Sequence, residues 1–144
     1  MELTKICTQK VISCLPHETI LHVAQRMRDH AVGAVIILEG GRPVGIITDR
    51  DIVVAVVAAK KDPAAVPCAE IMSADPFTVY SGQGPAEALR LMADKHVRRL
   101  PVINEDGLCI GIITLDDCLV LLGREMNDCT RVILYERDKA SAVR

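Results

Sequence analysis

The sequence predicts a mixed α/β (α+β) fold made of two copies of one β-α-β-β-α unit, packed together with approximate two-fold symmetry. Three observations carry that reading. Gly45-Ile46-Ile47-Thr48 recurs unchanged as Gly111-Ile112-Ile113-Thr114, and each copy is followed three residues later by an aspartate, Asp51 and then Asp117. Upstream the match continues at an offset of 65, pairing Ile6 with Ile71, Met27 with Met92 and Val32 with Val97. A fixed period of this length marks a repeat architecture. Finally, half of the residues are apolar while only Phe77, Tyr80 and Tyr135 are aromatic, so the core is built from Val, Ile, Leu, Ala and Met.

Each copy opens with a short strand, predicted at 11–15 and 76–80. A helix follows at 19–30, with Ile20, Val23, Ala24, Met27 and Ala31 on one face; its counterpart at 84–95 places Pro85, Ala88, Leu89 and Met92 likewise. Pro85 falls in the first turn, where a missing N–H costs nothing. Two strands joined by a tight turn come next, 34–38 with 43–47 around Glu39-Gly40-Gly41, and 99–103 with 108–113 around Asn104-Glu105-Asp106-Gly107. The longer second turn raises the offset to 66, and a turn absorbs an insertion easily. A second helix closes each unit at 49–59 and 115–124. The boundaries expected are therefore 6–59 and 69–124 for the repeats, 60–68 for the linker with its prolines and lysines, and 125–144 for a helical C-terminal extension. A chain of 144 residues buries roughly two-thirds of its unfolded surface, enough without disulfide or metal.

Charge and composition exclude several classes. A net charge of −2 and the absence of a long Lys/Arg run argue against nucleic acid, and the scarcity of aromatics removes the usual stacking platform for single strands. The longest uncharged apolar stretch, 52–59, is far below the ~20 residues that span a bilayer. With no basic head and apolar block at residues 1–5, the expected location is cytoplasmic. The six cysteines, Cys7, Cys14, Cys68, Cys109, Cys118 and Cys129, lack the two-to-four-residue pairing of a zinc site and are expected to be free thiols.

Gly-hydrophobic-hydrophobic-Thr-x-x-Asp after a hairpin, with a Met-bearing helix before it and the Arg99-Leu100-Pro101-Val102 strand, resembles the CBS repeat. Two in tandem form a Bateman module, and the resemblance runs from Ile6 to Leu122. It implies a non-enzymatic regulatory module that binds an adenine nucleotide or related adenosyl ligand (AMP, ADP, ATP, S-adenosylmethionine or NAD(H)) between the repeats. It further implies a homodimer formed through the helices, with an effector protein as a further partner. The helix at 49–59, apolar nearly all round, calls for such cover.

Thr-x-x-Asp at a helix start has two readings on its own residues. As a capping box, Thr48 with Asp51 and Thr114 with Asp117 satisfy the free N–H groups of the helix. As a ligand site, the same carboxylates accept from ribose hydroxyls and the helix start receives phosphate. The resemblance implies the second role for Thr48, Asp51, Thr114 and Asp117. It adds Arg98 and Arg99 as phosphate contacts, and Ser13, Thr78, Pro101 and Ile112 as neighbours of the base. The first repeat departs from the pattern, with Gly33 and Ala34 where the second has Arg98 and Arg99. Thr114, Asp117, Arg98 and Arg99 are expected to form one site within the second repeat. No catalytic constellation competes: the four histidines are scattered, no nucleophile elbow occurs, and Gly82-Gln83-Gly84 lacks a third glycine. An alternative function is a scaffold that dimerises and binds nothing.

Overall fold

Short continuous runs rich in Val and Ile make the two hairpins, with Val35, Ile36 and Ile37 all buried. The computed structural model describes residues 1–143. In it β2 (Ala34–Glu39) and β3 (Arg42–Thr48) pair antiparallel around Gly40 and Gly41, both at positive φ. The second hairpin, β6 (Arg99–Ile103) with β7 (Cys109–Thr114), turns through Gly107 at φ 80°. Two leading strands, β1 (Ser13–Cys14) and β5 (Val79–Tyr80), join in parallel beside β2 and β6. Each is only two residues long, shorter than predicted, and the flanking 10–12 and 75–77 line cavities.

Helix α1 (Ile20–His30) is capped by Thr19 and buries Ile20, Val23 and Met27. Its counterpart α4 (Pro85–Lys95) buries Ala88 and Met92, and both end on a left-handed residue at the same repeat position, Ala31 and His96. The second helix of the first repeat departs from expectation. After α2 (Asp49–Ile52) the chain widens to a π-turn over Val53–Val57, where Ala58 N–H donates to Val53 C=O at 2.9 Å, so 49–59 is not one regular helix. In the second repeat α5 spans Leu115–Ala142, so the expected helical extension continues the second helix without a break, straight through Gly123. A helical glycine costs about 1 kcal/mol relative to alanine, too little to stop a helix with good formers on both sides.

The repeats exchange their leading segments. Short helix α3 (Cys68–Ile71) and β4 (Ser73–Ala74) follow the linker, yet β4 pairs with β3, making the first sheet four-stranded in the order β1-β2-β3-β4. Cys68, fully buried, belongs to the first core with Ile20, Val35, Ile47 and Val56. Reciprocally, Leu3 is fully buried in the second core with Val79, Leu100, Val102 and Ile113, and Thr8 bridges to Ile112. The two exchanges occupy equivalent places in the repeat, Thr8 on Ile112 matching Ser73 on Ile46. The motif glycines permit the approach: a Cβ on Gly45 would strike the Met72 side chain, and one on Gly111 would lie 2.7 Å from Cys7 Sγ. The linker is likewise packed, with Val66 buried and its C=O accepting from Ile20 N–H at 2.9 Å.

Candidate functional site

A threonine hydroxyl and an aspartate one turn later build each helix start. Thr48 Oγ1 accepts from Asp51 N–H at 3.1 Å while Asp51 Oδ2 accepts from Thr48 N–H at 2.8 Å. At the second copy the distances are 3.1 Å and 2.9 Å for Thr114 and Asp117. Both are full capping boxes. Capping occupies Oδ2 of each carboxylate, and among the described residues Oδ1 of Asp51 has no hydrogen-bond partner. The structural and the ligand-binding roles are therefore compatible on one side chain.

Because the leading segments are exchanged, each cleft draws on both repeats. The first, about 360 Å³, is lined by Ile46, Thr48 and Asp51 from the first repeat and by Val97, Arg98, Arg99 and Leu100 from the second, with 73–77 as its remaining wall. That volume lies in the range of small-molecule sites. The second, about 260 Å³, takes Ile112, Thr114 and Asp116 from the second repeat and Val32, Gly33, Ala34 and Ile36 from the first, with Lys10, Val11 and Ile12. Repeat equivalence relates the linings almost residue for residue.

This arrangement corrects the expected grouping. Arg98 and Arg99 share a cleft with Thr48 and Asp51, and Arg98 shares none with Thr114 or Asp117, since β6 of one repeat faces the helix start of the other. Arg99 also reaches the second cleft, where its Nη1 donates to Gly33 C=O at 3.4 Å. Arg98 Nη2 lies 3.3 Å from Asp116 Oδ1. Asp117 lines neither cleft, its neighbour Asp116 doing so instead. Ile112 lies in the second cleft. Ser13 and Pro101 line neither: Ser13 is engaged opposite Ile36 in the first sheet, and Pro101 is buried opposite Ile112 in the second. Thr78 faces a separate surface hollow beside Tyr80, Gln83 and Arg90.

Sequence reasoning missed the walls at 10–12 and 73–77, including Lys10, Asp75 and Phe77. The signal was present in the repeat itself, since these stretches are equivalent to one another at the offset of 65. Among the described residues no three His, Cys, Asp or Glu side chains gather as a metal site, and no helix is long and apolar enough to cross a membrane.

The CBS domain family model matches residues 3–58 and 68–124. An uncharacterized Methanopyrus kandleri protein is 41% identical over 116 residues, which make up 80% of this chain and 59% of that one. Hypoxic response protein 1 of Mycobacterium tuberculosis is 38% identical over 74% of this chain and 75% of its own. A CBS domain protein of Pyrobaculum aerophilum, solved in complex with AMP, superposes with a TM-score of 0.74 at 25% identity, covering 81% of this chain and 89% of its own.

Proposed function

The chain belongs to the CBS domain family, and on that premise we propose that it is a regulatory module, not an enzyme, that senses an adenine nucleotide in the clefts between its repeats. One observation carries the reading: a single cavity gathers the Thr48 and Asp51 helix start with Arg98 and Arg99. The partner-free oxygen of Asp51 accepts from ribose hydroxyls, a charge-assisted bond of the stronger kind. The two guanidinium groups take the phosphate, and Ile46, Val97 and Leu100 flank the base. The AMP-bound relative supports an adenosyl ligand, for which AMP, ADP and ATP are the first candidates, with S-adenosylmethionine and NAD(H) as further ones.

Since both repeats contribute to each cleft, a ligand there ties their relative orientation to its own binding free energy. The readout is a homodimer joined through the second helices, whose Val53, Val54 and Val57 are exposed, together with an effector protein, in the cytoplasm. The scaffold reading draws on the capping boxes, which account for both Thr-Asp pairs without a ligand; it gives no role to the cavity that Arg98 and Arg99 line with Asp51. A thermal-shift series with AMP, ADP, ATP, S-adenosylmethionine and NADH separates the two. A ligand at 100 times its Kd adds about 2.7 kcal/mol to stability and raises Tm accordingly. No shift with any of the five supports the scaffold.

A further inference from the structure

Two clefts share one pair of arginines. Where the second repeat carries Arg98 and Arg99, the first has Gly33 and Ala34, so the first repeat offers no arginines at the equivalent positions. Arg99 lines both clefts and donates across the boundary to Gly33 C=O. Arg98 lines the first cleft while its guanidinium pairs with Asp116, which lines the second.

We propose that Arg99, assisted by Arg98, makes the clefts antagonistic for phosphate-bearing ligands, so that one chain takes one nucleotide phosphate tightly, in the first cleft. The inference rests on the nucleotide reading above. A phosphate in the first cleft draws Arg99 away from Gly33 at little cost, because that carbonyl keeps the Asp49 N–H at 3.0 Å. It also takes Arg98 from Asp116. The second cleft is then left with an unpaired carboxylate and Lys10 as its cation, and a second phosphate meets repulsion where it would have met a guanidinium. The Arg98 and Asp116 side chains are 67% and 78% exposed, so their pair is weak, and half-buried Arg99 carries most of the effect. By linkage the antagonism is mutual. A ligand without phosphate makes no claim on either arginine and escapes it.

Calorimetric titration of the full chain with AMP and with adenosine tests the proposal, alongside Asp116→Asn and Ala34→Arg. Couplings between sites commonly amount to 5–150-fold; the second AMP is expected to bind at least about tenfold more weakly than the first, or not measurably. Asp116→Asn should narrow that gap, and Ala34→Arg, which supplies the missing guanidinium, should bring in a second AMP. Adenosine should show neither response. Ala34→Arg crowds a strand, so its melting curve is recorded in parallel, and the stoichiometry of the unmodified chain decides the matter if the arginine variant does not fold. Two equal, independent AMP sites in the unmodified chain, or a folded Ala34→Arg protein that still takes a single AMP, would overturn the antagonism while leaving the nucleotide reading intact. Failure of AMP and adenosine alike to bind overturns both.

Discussion

Thr8 and Ile112 exchange both of their backbone hydrogen bonds, each at 3.0 Å, although Thr8 precedes the first repeat's sheet and Ile112 lies in β7, an edge strand of the second repeat's sheet. With the equivalent pairing of Ser73 on Ile46, it makes each half of the molecule incomplete without the other's leading segment.

Leu3→Ala is therefore expected to destabilise the second repeat. Leu3 is fully buried against that core, and truncating a buried leucine costs about 2–5 kcal/mol. Denaturant unfolding should show the loss in one cooperative transition shared by both repeats. Two separate transitions, with only the first repeat's unaffected, would argue that the halves fold independently.

The order of strands and helices was legible because Ile20, Val23 and Met27 recur at helical spacing while Val35, Ile37 and Ile47 alternate; local periodicity is what burial on one face imposes. The exchange was not legible. It depends on backbone pairing between Thr8 and Ile112, more than a hundred residues apart, and backbone groups carry no side-chain signature. The site was half legible for the same reason. Thr48, Asp51, Arg98 and Arg99 were all identifiable as residues, but which repeat's helix start meets which repeat's arginines follows from the exchange. The course of α5 was legible in the helical extension expected beyond residue 124, and the Leu, Arg, Glu and Met side chains around Gly123 favour one unbroken helix.

Glu18 predicts an acid limb in stability. Its carboxylate accepts from Leu15 N–H at 2.6 Å, the largest influence, with Arg26 at 3.3 Å and His22 at 3.7 Å, and these hold its pKa below the ordinary 4.5. A depressed folded-state pKa gives stability that is present above pH 4.5 and is lost as pH falls through the folded value. Unfolding curves from pH 7 down to pH 3 should show a shallower decline for Glu18→Gln; parallel curves would remove Glu18 from the account.

All six cysteines are free, and their reactivity should be sharply unequal. Cys14, Cys68 and Cys118 are buried, and burial pushes the thiols of Cys7, Cys109 and Cys118 up. Exposed Cys129 on α5 should react with a thiol reagent at pH 8 well before the other five, since the accessible thiolate is the reacting form. The denatured, non-reduced chain should titrate six. Two or more fast thiols in the folded protein would contradict this.

Val53, Val54 and Val57 are 57%, 55% and 66% exposed on the segment proposed to pair two copies. Light scattering should give twice 15.7 kDa, and Val54→Asp should shift the population toward monomer without lowering Tm at the lowest concentrations. A monomer in the unmodified chain at micromolar concentration would rule the interface out.

The central claim is that Asp51 serves a nucleotide as well as its own helix. Asp51→Asn isolates the first role, because an asparagine oxygen still accepts from Thr48 N–H, and the carboxylate charge lost from the first turn is worth only about 0.3–1 kcal/mol to the helix. Titrated calorimetrically with AMP, this variant is predicted to lose on the order of 2–3 kcal/mol of affinity, the worth of charged hydrogen bonds, while its melting temperature stays near that of the unmodified chain. Unchanged AMP affinity in a fully folded Asp51→Asn protein would contradict the account and leave Asp51 as a helix cap alone.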